Sequence, residues 1–443
     1  MNLRRSATAL GGAALLVITA APAVLAEDPP PAPEELYGEG DPSFDGVWRQ
    51  SLALLAQDTS GYTPAPEAVE WLAGQQCEDG SFLSFRADTG VPCEDVTAAD
   101  TNATALAVQA LAAVGGQDEA VAAADEWLRS MQNEDGGWGY SPGGATDSNS
   151  TAVVIGALAA AGQDPDGVRR DDASPYEALA ALQLGCEADQ EERGAFAWQP
   201  DETTGDLFAN PASTVDAVLA AYGSGLVVSP DVEGDPVPVS PLDCGDEDGD
   251  EDTPDTEGED AEDSTEENGE DESGGREPTA GQSAAAGAAH LAALLAEGDN
   301  HLVSSLPGAE DQPDFGGTSK AVLALAAGGH GDAVRGPLEW LEANHTAWDG
   351  LESSPAALGQ LVLAAHAGGA DPADFGGTDL IGQLNALGPA PEQDEDGAAD
   401  GAGEEENEEA TGSGVLLWIL GLGLLAGVVI GVLLTQRRKK RDS

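Results

Sequence analysis

Positive charge is what this sequence most conspicuously lacks. Lys and Arg total 16 against 82 Asp and Glu, a net charge of −66 over 443 residues. Such a field repels phosphate backbones, which excludes nucleic-acid binding. Aromatic residues make up only 5% of the chain, so the apolar content rests on Ala, Leu and Val. Cysteine is confined to Cys77, Cys93, Cys186 and Cys244, with no Cys-x-x-Cys spacing. The five histidines, 290, 301, 330, 345 and 366, share no ligand-like spacing with one another or with a cysteine. No metal site is therefore expected.

Both ends of the chain carry membrane signals. Arg4 and Arg5 lead into the apolar stretch 13–20, and Val24-Leu25-Ala26 fits a cleavage site, so residues 1–26 read as a secretory signal peptide. Residues 415–434 carry no charge over a length that spans a bilayer core of ~30 Å at ~1.5 Å per residue. The basic tail 435–443 follows, with Arg437, Arg438, Lys439, Lys440 and Arg441, and the positive-inside bias places it in the cytoplasm. The expectation is a single-pass cell-membrane protein with its bulk outside. Between residues 27 and 414 only one lysine remains, Lys320. Cysteines in an exported chain form disulfides by default. Three connectivities exist; Cys77–Cys93 would close one inter-helix loop and Cys186–Cys244 would tie a later segment back to the body, and these pairings are favoured.

Two stretches cannot fold by burial. Residues 245–280 are dominated by acids with no large aliphatic side chain in 246–272, which predicts a disordered insertion. Residues 389–414, acidic and rich in Pro, Gly and Ala, read as a stalk, and 27–42 as a Pro/Glu-rich leader. What remains, 43–388, repeats. One recurring unit is an apolar helix ending in Gly: 103–116, 151–162, 213–225, 319–329 and 356–369, with an opening member at 43–57. Asp100-Thr101-Asn102, Asp147-Ser148-Asn149 and Asn210-Pro211 supply N-cap signals before three of them. Amphipathic, outwardly acidic helices alternate with these at 67–76, 119–132, 175–183, 282–297, 333–344 and 372–387. Six inner and six outer helices describe an all-α, (α/α)6 toroid; a solenoid is the competing arrangement.

The outer helices end in a shared phrase. Trp127-Leu128, Gln132 and Gly136-Gly137-Trp138 form the fullest copy, and Trp71-Leu72, Gln76 and Gly80-Ser81-Phe82 repeat it at the same spacing. Worn copies run through Ala178-Leu179, Gln183 and Gly194-Ala195-Phe196, and through Trp340-Leu341, where His345 replaces Gln. The indole can pack on the loop aromatic, the Gln can bond backbone groups at the helix end, and the Gly pair permits a tight turn.

This phrase resembles the QW repeat of the squalene–hopene cyclase and prenyltransferase β-subunit superfamily, whose fold is an (α/α)6 toroid. The resemblance implies that Trp71, Gln76, Phe82, Trp127, Gln132 and Trp138 are structural ties. The chemistry of that superfamily does not follow with the fold. Its cyclases use an Asp-x-Asp-Asp acid and several inward rings, whereas here no such motif occurs and the inner helices offer little beyond Trp48 and Tyr222. The zinc ligands of its transferases and the Gly-Cys-Gly-Glu-Gln thioester of complement-type toroids are also absent.

Asp100-Thr101-Asn102-Ala103-Thr104-Ala105-Leu106 and Asp147-Ser148-Asn149-Ser150-Thr151-Ala152 further resemble the inner-helix starts of intrinsic factor, transcobalamin and their bacterial surface relatives. That likeness implies a ligand site at the barrel mouth, with cobalamin as the ligand, and makes Asp100, Thr101, Asn102, Asp147, Asn149, Asn210 and Tyr222 candidate binding residues. Plain N-capping explains the same Asp and Asn residues. Those relatives close the site with a small C-terminal β-domain, whereas only an acidic stalk follows Leu387 here. The expected function is a non-catalytic surface toroid that presents a small molecule to a membrane permease or another surface protein. A protein-interaction or structural surface role is the alternative. An enzyme acting on terpenoid or isoprenoid-like substrates without the usual acid is the third reading, with Asp216 as its inward carboxylate.

Overall fold

The computed structural model describes residues 32–93, 96–230, 239–242, 244, 279–305, 309 and 312–393. The signal peptide, the bulk of the acidic insertion, all but the start of the stalk, the 415–434 run and the basic tail lie outside them. No helix among the described residues is long and apolar enough to cross a membrane.

The protein is mostly helical, with twelve α-helices of two alternating kinds among the described residues. The odd-numbered set comprises α1 (Gly46–Thr59), α3 (Thr101–Val114), α5 (Ser148–Ala160), α7 (Pro211–Ala221), α9 (Phe315–Ala327) and α11 (Pro355–Ala367). The even-numbered set comprises α2 (Pro66–Gly74), α4 (Asp118–Ser130), α6 (Pro175–Ala180), α8 (Ala280–Glu297), α10 (Gly331–Asn344) and α12 (Leu380–Asn385). Odd helices are apolar nearly all round, and they are buried accordingly: Leu106, Ile155, Val218, Leu323 and Leu361 have essentially no exposed surface. Each odd helix packs on the next odd one, from α1 through α3, α5, α7 and α9 to α11, and α11 packs back on α1. Each even helix packs on the odd helix that precedes it in the chain. One large hydrophobic cluster links the set. Sheet structure is limited to two-residue antiparallel pairs, β1 (Tyr62–Thr63) with β4 (Glu392–Gln393) and β2 (Leu302–Val303) with β3 (Pro313–Asp314).

The linker phrase works through backbone groups. Gln132 Nε2 donates to the Gly136 carbonyl at 2.8 Å and to Val168 O, just before α6, at 3.1 Å. Gln76 does the same to Gly80 O and to Ala120 O on α4, and Gln183 to Gly194 O and to Ser283 O on α8. Each Gln thus joins its own loop to the next even helix or its approach. Gly136 has φ +88°, and a Cβ there would overlap the Ser174 carbonyl, so only glycine fits this approach. Trp138 is buried and its Nε1 donates to Leu128 O at 2.7 Å, closing the turn onto α4. In the first copy Trp71 stacks on Phe85 with ring centroids 6.4 Å apart, while Phe82 is buried beneath.

Both disulfides take the favoured pairing, Cys77–Cys93 and Cys186–Cys244. Three boundaries differ from the sequence reading. Leu36 and Tyr37, placed in a leader, are buried in the helical body, because Tyr37 Oη donates to Pro389 O and accepts from Gln57 while the Gly38 amide bonds Leu387 O. The last even helix is only 380–385 rather than 372–387: Gly376 and Gly377 adopt positive φ, and Phe375 and Thr378 bridge across them, which interrupts the helical run. The stalk begins later than 389, since Glu392 and Gln393 pair with Thr63 and Tyr62.

Candidate functional site

Four of the six odd helices begin with the same cap-and-threonine device. Asp100, Asp147, Asn210 and Asp314 each cap a helix through a side-chain oxygen that accepts a backbone N–H three residues on. Four residues after each cap stands a threonine, and its hydroxyl accepts the amide of a buried linker residue. Thr104 takes Phe82 N at 2.9 Å, Thr151 takes Trp138 N at 3.0 Å, Thr214 takes Phe196 N at 2.9 Å and Thr318 takes Leu302 N at 3.0 Å. The Thr104, Thr214 and Thr318 hydroxyls then donate to the carbonyl of their own cap. These threonines give the repeat a fourth tie that the sequence reading did not pick out.

Capping commits three of the expected ligand residues. Asp100 Oδ1 accepts from Ala103 N at 2.9 Å, and Oδ2 takes Tyr140 Oη at 2.8 Å and Ser84 Oγ at 3.0 Å. Asp147 accepts from Ser150 N at 2.7 Å and Ser150 Oγ at 2.8 Å; burial nevertheless pushes its carboxyl above the usual aspartate range. Asn210 accepts from Ser213 N at 3.0 Å. Thr101 is buried at the first turn of α3, with its amide on Tyr140 O. Tyr222 lies at the opposite end of α7. Its hydroxyl is 2.7 Å from His330 Nε2, and burial raises the phenol to about 12 and lowers the imidazole. It takes no part in the cavity described next.

That cavity has a volume of about 70 Å³ and is lined from every odd helix, with Trp48, Asn102, Asn149, Asp216, Lys320 and Gln360 each from a different one, and Leu52, Gln109, Ala152, Val153 and Leu219 beside them. Asn102 and Asn149 are the two expected ligand residues that it brings together. Lys320 Nζ lies 2.9 Å and 3.2 Å from the two oxygens of Asp216. Asn149 Nδ2 donates to Asp216 Oδ2 at 2.7 Å, and Asn149 Oδ1 accepts from Ser213 Oγ at 2.9 Å. Gln360 donates to Gly316 O across the α9–α11 contact. The polar set is therefore an ordered chain that runs from α5 through α7 to α9. Asn102 Oδ1 is enclosed and has no hydrogen-bond donor among the described residues. At the far end Ser224, Gly225 and Leu226 form the floor: Leu226 N donates to Gln109 Oε1 at 2.9 Å, a Cβ on Gly156 would press on the Gly225 backbone, and one on Gly225 would overlap Gln109 Oε1.

Asp216, Lys320 and Gln360 each occupy the sixth position of their own helix. Asp216 and Lys320 are the sole charged residues in α7 and α9, a signal visible in the sequence: one polar residue breaks an otherwise apolar inner helix. Gln109 in α3 and Gln360 in α11 carry the same signal and were not singled out as site residues. No group of three or more metal-type ligands occurs among the described residues. The arrangement can hold a neutral, hydrogen-bonding group; Trp48 is the only ring on its wall. Compared with models of protein families and with curated protein sequences, the chain matches none of them.

Proposed function

We propose that this protein is a non-catalytic binding protein, an (α/α)6 toroid related to the QW-repeat superfamily, held at the cell surface by its C-terminal apolar run. Its site is the cavity lined by all six odd helices, and it presents a small polar molecule there to a membrane permease or another surface protein. The observation that carries this reading is the convergence of Trp48, Asn102, Asn149, Asp216, Lys320 and Gln360, one from each odd helix, on a single cavity. The packing of α11 back on α1 supports a closed ring over an open superhelix. Two charged groups set in apolar helices cost stability unless they pair, and their retention as a pair facing a cavity supports a binding role. The single ring on the wall favours binding over a cyclase, since cation-stabilising chemistry needs several inward faces.

The cavity falls well below the ~300–1,000 Å³ of pockets that enclose drug-sized ligands. A corrinoid, the ligand implied by the intrinsic factor likeness, would therefore rest on the rim with at most one side group inside. The test is a thermal-shift survey of the full-length protein in detergent against polar small molecules, with cobalamin among them. A ligand that binds only the folded state raises the melting temperature. At least one compound should do so in the wild type and not in the Lys320→Met/Asp216→Asn double variant, which keeps the site neutral. Retention of corrin absorbance after desalting identifies the corrinoid case. A survey in which no compound shifts the wild type overturns the reading.

A further inference from the structure

We propose that the cavity and its rim form a saccharide site that takes the end of a neutral sugar chain. This rests on the binding role proposed above and names the chemical class of the ligand.

Charge comes first. Among the described residues Lys320 and Asp216 are the only charged side chains on the cavity wall, and they neutralise each other at 2.9 Å. An anionic ligand would face the −66 field of the chain without a free cation to receive it. A cationic ligand would compete for a carboxylate already engaged by Lys320 and Asn149. A neutral ligand meets neither barrier.

Hydrogen-bond chemistry narrows the class further. The wall carries the amide side chains of Asn102, Gln109, Asn149 and Gln360 beside the Asp216–Lys320 pair, set among the apolar Leu52, Ala152, Val153 and Leu219. A hydroxyl both donates and accepts, so a polyol can meet the amides and the Asn149–Asp216–Lys320 chain with either function while its C–H faces lie on the apolar lining.

The rim supplies the third element. Among the described residues the exposed aromatics are Phe44, Tyr140, Trp198 and Phe208, each more than half exposed, and all stand at the N-terminal ends of odd helices. Tyr140 and Trp198 present their carbonyls to the first amides of α3 and α5, next to Asn102 and Asn149, and Phe208 precedes the α7 cap Asn210. The electron-rich face of an aromatic ring attracts the slightly positive C–H groups of a pyranose face, as it attracts other electropositive edges. Trp48 is on the cavity wall itself, and we assign the sugar end to that wall and the following ring to the exposed aromatics.

Saturation-transfer NMR on the full-length protein in detergent micelles decides the matter. The probes are maltose, cellobiose, trehalose, mannobiose and N,N′-diacetylchitobiose, with glucuronate and glucosamine as charged controls. At least one neutral disaccharide should receive saturation on its ring protons and saturate on titration, while both charged controls stay silent. Asn102→Ala and Trp48→Ala should each weaken that binding at least tenfold, Asn102→Ala with an unchanged melting temperature; should Trp48→Ala, whose indole packs on the core, fail to fold, Asn102→Ala decides. Silence from every neutral probe overturns the proposal, as does binding that both variants retain. A non-saccharide hit in the thermal-shift survey alongside silent sugars sinks this inference and leaves the binding role standing. A protein captured on the rim with all sugars silent also counts against it, and silence in both assays removes both proposals.

Discussion

Replacing Lys320 by methionine is the sharpest test of the polar chain. The ammonium sits 2.9 Å and 3.2 Å from the two oxygens of Asp216, and the two side chains are 28% and 19% exposed. Fully exposed ion pairs contribute about 0.2–1 kcal/mol, whereas removing one member of a fully buried pair costs about 3–5 kcal/mol. Solvent reaches both groups in part, which sets the loss for Lys320→Met between these ranges, at about 2 kcal/mol. Asp216 then keeps only the Asn149 amide as a donor. The reverse change, Asp216→Asn, should cost less, about 1 kcal/mol, because the flexible lysine stem can carry its charge toward water. The double variant leaves no unpaired charge and should fall short of the summed single losses by about 1–2 kcal/mol. Urea unfolding of the full-length protein in detergent, followed by near-UV circular dichroism, measures all four corners of the cycle. Molar salt should shrink the coupling but not abolish it, since a partly buried pair is screened less than a surface one. Single losses that add to within about 0.3–0.5 kcal/mol would mean that the two side chains do not interact, and the description of the site would be wrong.

Thr151→Val keeps the shape of the side chain but leaves the buried Trp138 amide without an acceptor; the expected loss is about 1–3 kcal/mol by the same urea assay, and a neutral result would show that the tie is not structural. Tyr37→Phe removes the hydroxyl that joins Pro389 O and Gln57 at the junction of α1 with the chain's later segment, where burial holds the phenol at about 12 so that it stays protonated at neutral pH. Amide exchange should quicken around 385–393 before it does anywhere in α5, and uniform exchange across both would refute a local seam. For Asp147 burial raises the carboxyl pKa in the folded state. The folded state therefore binds the extra proton in the window above the ordinary ~3.9, and this residue's contribution to stability declines as pH rises through that window. Asp147→Asn, whose amide oxygen can still accept from Ser150 N, should flatten that limb of the melting-temperature profile; an unchanged slope would remove Asp147 as its cause.

The alternation of helices was legible because two different signals mark it. Apolar stretches ending in Gly and amphipathic stretches ending in Trp-Leu…Gln need no tertiary knowledge to recognise, and α3, α4, α5 and α9 fall within a few residues of their expected spans. The caps were legible for the same local reason. What they did could not be read, because a capping carboxylate and a ligand-facing one share a sequence: Asp100 and Asp147 turn to their own helices, whereas Asn102 and Asn149, two residues on, face the cavity. The threonine tie was hidden because its partners, Phe82, Trp138, Phe196 and Leu302, come from the preceding linker and lie 13–22 residues away. The buried leader escaped for a related reason. Composition marks 27–42 as Pro and Glu rich, and nothing local announces that Tyr37 will meet Pro389, 352 residues later.

The placement of the acidic insertion relative to the site follows from the direction of the helices. The caps, the threonine ties and the exposed aromatics all gather where the odd helices begin, and there the linkers are bonded at several backbone groups. The insertion instead leaves from the other end, after α7 has ended at Ala221. Lengthening a connection there costs little closure entropy, since the α7–α8 contact persists across it and the Cys186–Cys244 bond pins the segment at Cys244 to the linker after α6. The chain leaving α7 first passes Ser224, Gly225 and Leu226, which line the cavity beside Gln109 and Gly156. A substitution at Leu226 therefore bears directly on the Gln109 bond, whereas the threonine ties stand at the opposite ends of the helices.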